Sequence, residues 1–361
     1  MSHNLRGEFE GKFQPSISKK DVKKSKNSDL STRIVKTPQV AGSLFLFNHI
    51  IETMKPLQRP YKTEEDYWCI REFLREVSMS NVRHDFSWSL LRWDYWRWHV
   101  NENIFNFKLE DVIHLWELNG QIVAMLNPDG NGEAFFQIHP VFQDQVSISE
   151  MLDIAEEKLP KTNENGKKEL IVWVNAADDS TKGLFAERGY ARSKFSAEHM
   201  RRRFFSQPIP DSAPTSGYSI RALGDESELP ARSWLSWKVF HPDEPDEKYE
   251  GWEWYKNVQR VPLYRRDLDI VAVAENGELA AFCTVWFDDV TRTAVFEPVG
   301  THPNHQKRGL GKAVMSEGLR RAQKLGATLA TVSSYSVGAH ALYESMGFTE
   351  FDLLEPWIKE W

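Results

Sequence analysis

At 361 residues, 41% hydrophobic and 27% charged, the chain has length for two domains and apolar material for two cores. A formal net charge of −7 argues against a chain-wide affinity for nucleic acid. Cys69 and Cys283 stand far apart with no Cys-x-x-Cys pair, which speaks against a disulfide framework or a thiolate metal site and suits a reducing cytoplasm.

Taken in chain order, residues 1–43 are mostly polar, with lysines at 19, 20, 23, 24 and 26, and read as a flexible arm without the apolar stretch of a signal peptide. The run Leu44–Phe47 is far too short to span a bilayer. Trp88, Trp93, Trp96 and Trp98 read as cover for a core or a domain interface, with a ligand cage as the lesser reading. Asn119-Gly120, between the β-rich runs Ile113–Leu118 and Gln121–Leu126, predicts a hairpin. Another β-rich run, Glu133–Ile138, leads into His139-Pro140-Val141-Phe142-Gln143 and then a helix. Residues 206–216, with three prolines at 208, 210 and 214, read as a linker.

The stretch His241–Trp254 carries Asp243, Glu244, Asp246, Glu247, Glu250 and Glu253 with Trp252 and Trp254. It is either a solvated acidic loop or a wall for a cationic amine, through ion pairing and cation–π contact. Asn276-Gly277, between Ile270–Ala274 and Leu279–Trp286, predicts a second hairpin. The apolar run Thr293–Val299, the turn over residues 301–311 and an amphipathic segment from Lys312 make a strand, a loop rich in backbone donors and a helix N-terminus. That arrangement is an anion site, because first-turn N–H groups and the positive end of the helix dipole face the bound charge. Gly309 and Gly311 lack a Cβ, so a pyrophosphate can come close to the main chain. Val314 removes the third glycine of a dinucleotide fingerprint, and Gln306 and Ala313 remove a Walker loop. Gly347 suits a C-terminal helix cap and Phe348 a strand entering the core.

The two halves repeat one another. His139, Pro140 and Gln143 fall on His302, Pro303 and Gln306 at one constant spacing, and Gly183–Tyr190 falls on Ala341–Phe348. In the first copy Val146 and Ile148 replace the two glycines, Asp144 replaces Lys307 and Phe185 replaces Tyr343. Each change works against binding a phosphate or donating a proton.

Gln306-Lys307-Arg308-Gly309-Leu310-Gly311 resembles the acyl-CoA pyrophosphate loop of the GNAT acetyltransferases, Ser219–Leu223 resembles that family's first strand, and Ala339–Phe348 resembles its late helix and following strand. The resemblance covers about residues 217–355, and the doubled arrangement is similar to that of mycothiol synthase and its relatives. It implies an α/β (α+β) chain of two tandem GNAT folds, each a mixed, mostly antiparallel twisted sheet flanked by helices. The expected division is an arm at 1–43, a degenerate domain at 44–205, a linker at 206–216 and a catalytic domain at 217–361.

The activity implied is direct transfer of an acetyl group from acetyl-CoA, the co-substrate, to a primary amine of a small molecule or peptide. No metal, nucleic acid or membrane partner is expected, and the protein is a monomer or homodimer. Other readings are a non-catalytic acyl-CoA sensor or scaffold, and a transferase for a longer acyl group. Cofactor contacts are expected from Val299, Gly300 and Thr301 on the strand, from Gln306, Lys307, Arg308, Gly309, Leu310, Gly311 and Lys312 in the loop, and from Ser336 where the family commonly has Asn. Tyr343 matches the tyrosine that faces the cofactor sulfur and is the candidate general acid. Glu297 is the candidate base, because residues 295, 297, 299 and 301 share a face of a regular strand. His302 and His305 are alternatives by ordinary pKa alone. Pro298 marks either a bulge or a plain edge position.

Overall fold

Each half is built outward from an Asn-Gly turn. Asn119 and Gly120 both take positive φ (52° and 79°), as does Gly277 (86°), the backbone conformation that tight hairpins require. The computed structural model describes residues 55–81, 84, 87–214 and 216–361, so the arm expected over 1–43 and the domain start at 44 lie outside the described residues.

The first half contributes β1 (Leu57–Pro60), β2 (His114–Leu118), β3 (Gln121–Asn127), β4 (Glu133–Ile138), the two-residue β5 (Lys161–Thr162), β6 (Lys168–Asn175), the two-residue β7 (Ala191–Arg192) and β8 (Glu198–Phe204). The second contributes β9 (Tyr218–Ala222), β10 (Asp269–Ala274), β11 (Leu279–Asp288), β12 (Thr293–Thr301), β13 (Leu329–Ser334) and β14 (Glu350–Glu360). They join in one sheet of order β1-β2-β3-β4-β6-β14-β8-β13-β12-β11-β10-β9, with β5 beside β6 and β7 beside β14. The β4–β6 and β12–β13 pairs are parallel and the others antiparallel. Each half is thus a mixed, mostly antiparallel sheet flanked by helices, as expected.

The sheet crosses the expected chain boundary. β8 lies before the linker yet pairs with β13 (Leu329↔Phe204 to Ser334↔His199), while β14, from the end of the chain, pairs with β6 (Leu354↔Asn175 to Glu360↔Glu169). Each half therefore uses a strand supplied by the other. The segment expected as a linker lies on the second half: Ser316 Oγ donates to the Pro210 carbonyl at 2.7 Å and Arg320 pairs with Asp211 at 3.0 Å.

The helices that matter for the site are α1 (Glu64–Ser80), α2 (Leu90–Tyr95), α3 (Ile148–Lys158), α4 (Asp179–Glu187), α5 (Leu229–Phe240), α6 (Tyr255–Gln259), α7 (Leu310–Lys324) and α8 (Val337–Ser345). Apolar residues at helical spacing in α1, from Tyr67 through Ile70, Phe73, Leu74 and Val77, are buried with Trp88, Trp93, Trp96, Phe135 and Trp173 in the first-half core. The tryptophan stretch is thus largely core. A π-helix, Trp96–Phe105, continues α2, an irregularity that recurs at functional sites. In the second half one apolar cluster lies under α7 (Val285, Phe296, Val314, Met315) and another under α5 and α6 (Val271, Phe282, Trp286, Val295). Among the described residues no helix is long and apolar enough to cross a membrane.

Arg75 of α1 reaches the second half, with Nη2 2.7 Å from Asp288 Oδ1. Burial opposes ionisation of Asp288, but Arg75 and the Thr291 amide outweigh it and hold the carboxyl below its ordinary value. The pair's contribution to stability is therefore present above the unfolded carboxyl pKa and is lost as pH falls through the folded one. Arg75→Ala should cost about 2 kcal/mol at neutral pH by leaving a buried carboxylate without its cation. Denaturant titrations at pH 7 and pH 3 should show that penalty shrinking in acid.

Candidate active site

The parallel pairing of β12 with β13 runs from Thr293↔Leu329 to Val295↔Thr331 and stops, although β12 continues to Thr301 and β13 to Ser334. The two strands splay into a wedge. The His302 amide donates to the Ala280 carbonyl at 2.9 Å. By antiparallel alternation Gly300 then also spends its backbone groups on β11, while those of Val299 and Thr301 face the wedge. Gly300 serves another purpose as well: a Cβ there would lie 2.6 Å from Val239 and 2.7 Å from Phe282, so its absence lets α5 pack close.

The β11–β12 register shifts, with Cys283 opposite Val299 but Val285 opposite Phe296. Glu297 and Pro298 together face Thr284, a bulge at the proline. This corrects the shared-face expectation. Val295 packs under α5 and α6 whereas Val299 packs against the cluster under α7, because the extra residue reverses the parity between them.

Beyond β12 the turn is built by His302, whose Nδ1 accepts the Asn304 amide at 3.2 Å. His139 does the same for Val141 in the first half, also at 3.2 Å. The repeated His-Pro pair is thus a turn cap in both copies. Lys307 (φ 61°) and Gly309 (φ 76°) take the left-handed conformation, and Gly309 is the N-cap of α7. The first α7 ladder bond runs from the Ala313 amide to the Gly309 carbonyl at 3.0 Å, so the amides of Leu310, Gly311 and Lys312 have no partner within the helix. The side chain of Leu310 is buried under them, while residues 306–309 and Lys312 are exposed.

The two loop glycines have different reasons. A Cβ on Gly309 would meet nothing within 4 Å, so its backbone angle requires glycine. A Cβ on Gly311 would lie 3.3 Å from Leu342, so that glycine also sets how closely α8 approaches α7. Arg308 donates to the Tyr218 hydroxyl at 2.9 Å, and that hydroxyl lies 2.8 Å from His305 Nδ1. Gln306 Nε2 stands 3.5 Å from the Thr301 carbonyl.

The matching place in the first half is closed. Ser147 caps α3 by accepting the Glu150 amide at 3.3 Å. Val146 is turned into the core rather than toward a ligand, and Phe185 is fully buried. The β3–β4 register runs from Ala124↔Ile138 to Asn127↔Phe135 without a shift, so the bulge has no counterpart there.

Ser336 is the N-cap of α8, accepting the Ala339 amide at 3.3 Å. Two turns on, Tyr343 is 7% exposed within the cluster under α7. Burial pushes its phenol well above the ordinary value, and the neighbouring Cys283 and Glu297 add to that. Glu297 also bears on Tyr95, whose phenol is raised by burial first and by Glu297 second. The Tyr95 ring lies 5.8 Å from that of Trp286, and Trp286 Nε1 donates to the Glu297 carbonyl at 2.5 Å. The structure thus gathers Tyr343, Glu297 and Tyr95, the last from the first half. The sequence reading did not single out Tyr95; the signal available was its place within the tryptophan-rich stretch.

Next to Tyr95, at 4.8 Å between rings, His99 is buried and its pKa pushed down to about 4 by desolvation. Asn103 bridges His99 Nδ1 (2.8 Å) and Asn257 (2.8 Å). The acidic stretch 241–254 is partly neutralised by nearby lysines: Lys238 of α5 pairs with Asp246 at 2.9 Å and Lys248 with Glu244 at 3.1 Å. Lys256 already sits 4.4 Å over the Trp252 ring, the place an acceptor cation would take. Among the described residues Glu278, His302 and His305 form one cluster of metal-ligand types. His302 accepts a backbone amide at Nδ1, which leaves the proton of the neutral ring on Nε2 and makes that nitrogen a donor rather than a ligand.

The second half thus brings together a splayed strand pair, a bulge, a helix N-terminus with free first-turn amides, and a buried tyrosine within electrostatic reach of a carboxylate. Residues 229–348 match the model of the acetyltransferase (GNAT) family, so the second half of the chain is a GNAT acyltransferase domain. It is similar to the mycothiol acetyltransferase of Paenarthrobacter aurescens strain TC1, with 25% identity over 254 residues, 65% of this chain and 72% of that one. It is also similar to the mycothiol acetyltransferase of Pseudarthrobacter chlorophenolicus, with 24% identity over 255 residues, 66% of this chain and 73% of that one. Two solved structures share the fold. A tandem GNAT protein from the clavulanic acid biosynthesis pathway has TM-score 0.59 and 14% identity over 85% of this chain and 98% of its own. A GCN5-related N-acetyltransferase from Sphaerobacter thermophilus has TM-score 0.58 and 16% identity over 84% and 95%.

Proposed function

We propose that the chain is a cytoplasmic N-acetyltransferase that moves an acetyl group from acetyl-CoA directly to a primary amine of a small molecule or peptide, with its active site in residues 217–361. The observation that carries this reading is the β12–β13 wedge, which opens beside the uncapped N-terminus of α7 with Tyr343 and Glu297 close by. The amides of Leu310, Gly311 and Lys312, with the charges of Lys307, Arg308 and Lys312, hold the pyrophosphate. The backbone groups of Val299 and Thr301 pair with the pantetheine amides as an added strand would. The Val299 N–H then faces the thioester carbonyl and stabilises negative charge developing on its oxygen.

Glu297 takes a proton from the attacking ammonium, directly or through water, so the nitrogen lone pair is free. The C–N bond forms, the C–S bond breaks, and Tyr343 gives its proton to the departing sulfur. Burial keeps Tyr343 protonated across the working pH range, so it is a standing donor. Tyr95, His99 and Trp254 form the acceptor side of Glu297. The first half, with its helix N-terminus capped by Ser147 and its strand without a bulge, frames that side and binds no acetyl-CoA.

Calorimetric titration with acetyl-CoA tests this directly. One site per chain is expected. Two sites would show that the first half still binds the cofactor, and no binding would overturn the enzymatic reading.

A further inference from the structure

Strand β8 carries Arg201, Arg202 and Arg203 in succession, and all three are nearly buried, at 2%, 5% and 1% exposure. Arginine is almost never buried without a strong reason. Arg202 points to one face, where it pairs with Asp352. Arg201 and Arg203 point to the other, beneath the C-terminal end of α8. Arg203 Nη1 donates to the Met346 carbonyl at 2.8 Å, and its Nη2 to the carbonyls of Gln207 at 3.0 Å and Pro208 at 3.1 Å. Arg201 Nη1 donates to the Phe348 carbonyl at 3.1 Å, Nη2 to Glu344 at 3.0 Å and Nε to Ser334 at 3.1 Å.

These contacts converge on the residue of interest. α8 ends in a Schellman turn at Gly347 (φ 87°), where the Phe348 amide donates to the carbonyl of Tyr343 at 3.0 Å. Phe348 therefore links Tyr343 to Arg201 through a single residue, and Glu344, next to Tyr343 in the helix, meets the same guanidinium. The turn ends α8, and two cations at the negative end of its dipole fix how that end is seated and rotated.

The first half supplies an internal comparison. α4 ends in the same turn, with Gly189 at φ 86° and the Tyr190 amide donating to the Phe185 carbonyl at 2.9 Å. The strand in the corresponding place, β14, contains no arginine. It presents Trp357, 6.5 Å from the Phe185 ring, and Lys359, which pairs with Glu156 at 2.9 Å. The helix end that carries phenylalanine lacks the grip; the one that carries tyrosine has it. A Schellman turn alone is sufficient to end the helix.

We propose that Arg201 and Arg203, on a strand that precedes the linker, are positioning residues for Tyr343. The inference rests on the reading of Tyr343 as the general acid. They hold the α8 terminus so that the phenol stays aimed into the wedge, and the active half thereby depends on the first for the geometry of its acid.

A double-mutant cycle in the full chain tests this. Arg201→Gln should lower kcat about tenfold with the KM for acetyl-CoA unchanged within about twofold, and should lower it no further in a Tyr343→Phe background. Arg201→Lys, which keeps the charge, should recover part of the loss. An equal loss of kcat in the Tyr343→Phe background would mean that Arg201 acts on the fold at large, and would overturn the proposal while leaving the acid assignment intact. A Tyr343→Phe variant as fast as the parent would overturn the acid assignment and this inference with it. If Arg201→Gln shows no cooperative unfolding transition, Glu344→Ala, which removes one partner of Arg201 at the exposed end, replaces it. About a threefold loss is then expected in the parent and none with Tyr343→Phe, and no loss in the parent would overturn the proposal.

Discussion

A chain carrying Gly309→Val and Gly311→Ile, the residues of the first half in the second half's loop, is expected to lose acetyl-CoA affinity by at least about 100-fold, since several charge-assisted backbone hydrogen bonds would go together. The two substitutions act differently. Gly309 sits at φ 76°, where a β-branched residue is strained by roughly 1–2 kcal/mol or more, and its Cβ would enter open space in front of the helix N-terminus. At Gly311 the Cβ itself is 3.3 Å from Leu342, so isoleucine would press α8 away from α7 and disturb the helix that holds Tyr343. Calorimetry on each single variant separates the contributions, with circular dichroism to confirm the fold. Unchanged affinity in the double variant would remove this loop from cofactor binding.

Tyr343→Phe is expected to reduce kcat by about 100-fold, the lower range for loss of a positioned proton donor, with the KM for acetyl-CoA within about twofold of the parent. The ring stays in the cluster beside Phe348, at 6.3 Å between centroids, so the substitution removes a hydroxyl and little packing. Burial sets the pH dependence. The phenol is raised well above its ordinary value, so the parent should show no basic limb from Tyr343 below about pH 10, the unperturbed tyrosine value. Any rise in rate from acid to neutral pH then belongs to deprotonation of the base or the amine. Steady-state rates across pH for parent and variant check both points; equal kcat would dismiss the acid.

Much of this was legible in the residues. Asn119-Gly120 and Asn276-Gly277 announced their hairpins because few other pairs supply positive φ so readily, and the turn at 301–311 followed from a strand, two glycines and an amphipathic helix in order. The repeat exposed the doubling because His139-Pro140 and His302-Pro303 cap the same turn. What stayed hidden depends on long-range pairing. Nothing local in His199–Phe204 says that this strand leaves its own half, and three consecutive arginines read as a solvated strand until the α8 carbonyls are placed beside two of them. The bulge at Glu297-Pro298 shows only when β11 is laid alongside, since proline is compatible with either an edge or a bulge. Tyr95 sat among tryptophans that are mostly core, and its nearness to Glu297 is a matter of tertiary fold alone.

The exchange of β8 and β14 bears on how the protein comes into being. During synthesis the first half emerges well before the neighbour that β6 requires, because that neighbour is Glu350–Glu360, which follows all the other strands of the second half. Until β14 is made, β6 carries an open row of backbone donors and acceptors, the kind of edge that recruits other chains. From the making of β6 until that of β14, the nascent protein therefore carries an unfinished seam at the centre of its sheet, and the second half must be made before that seam can close.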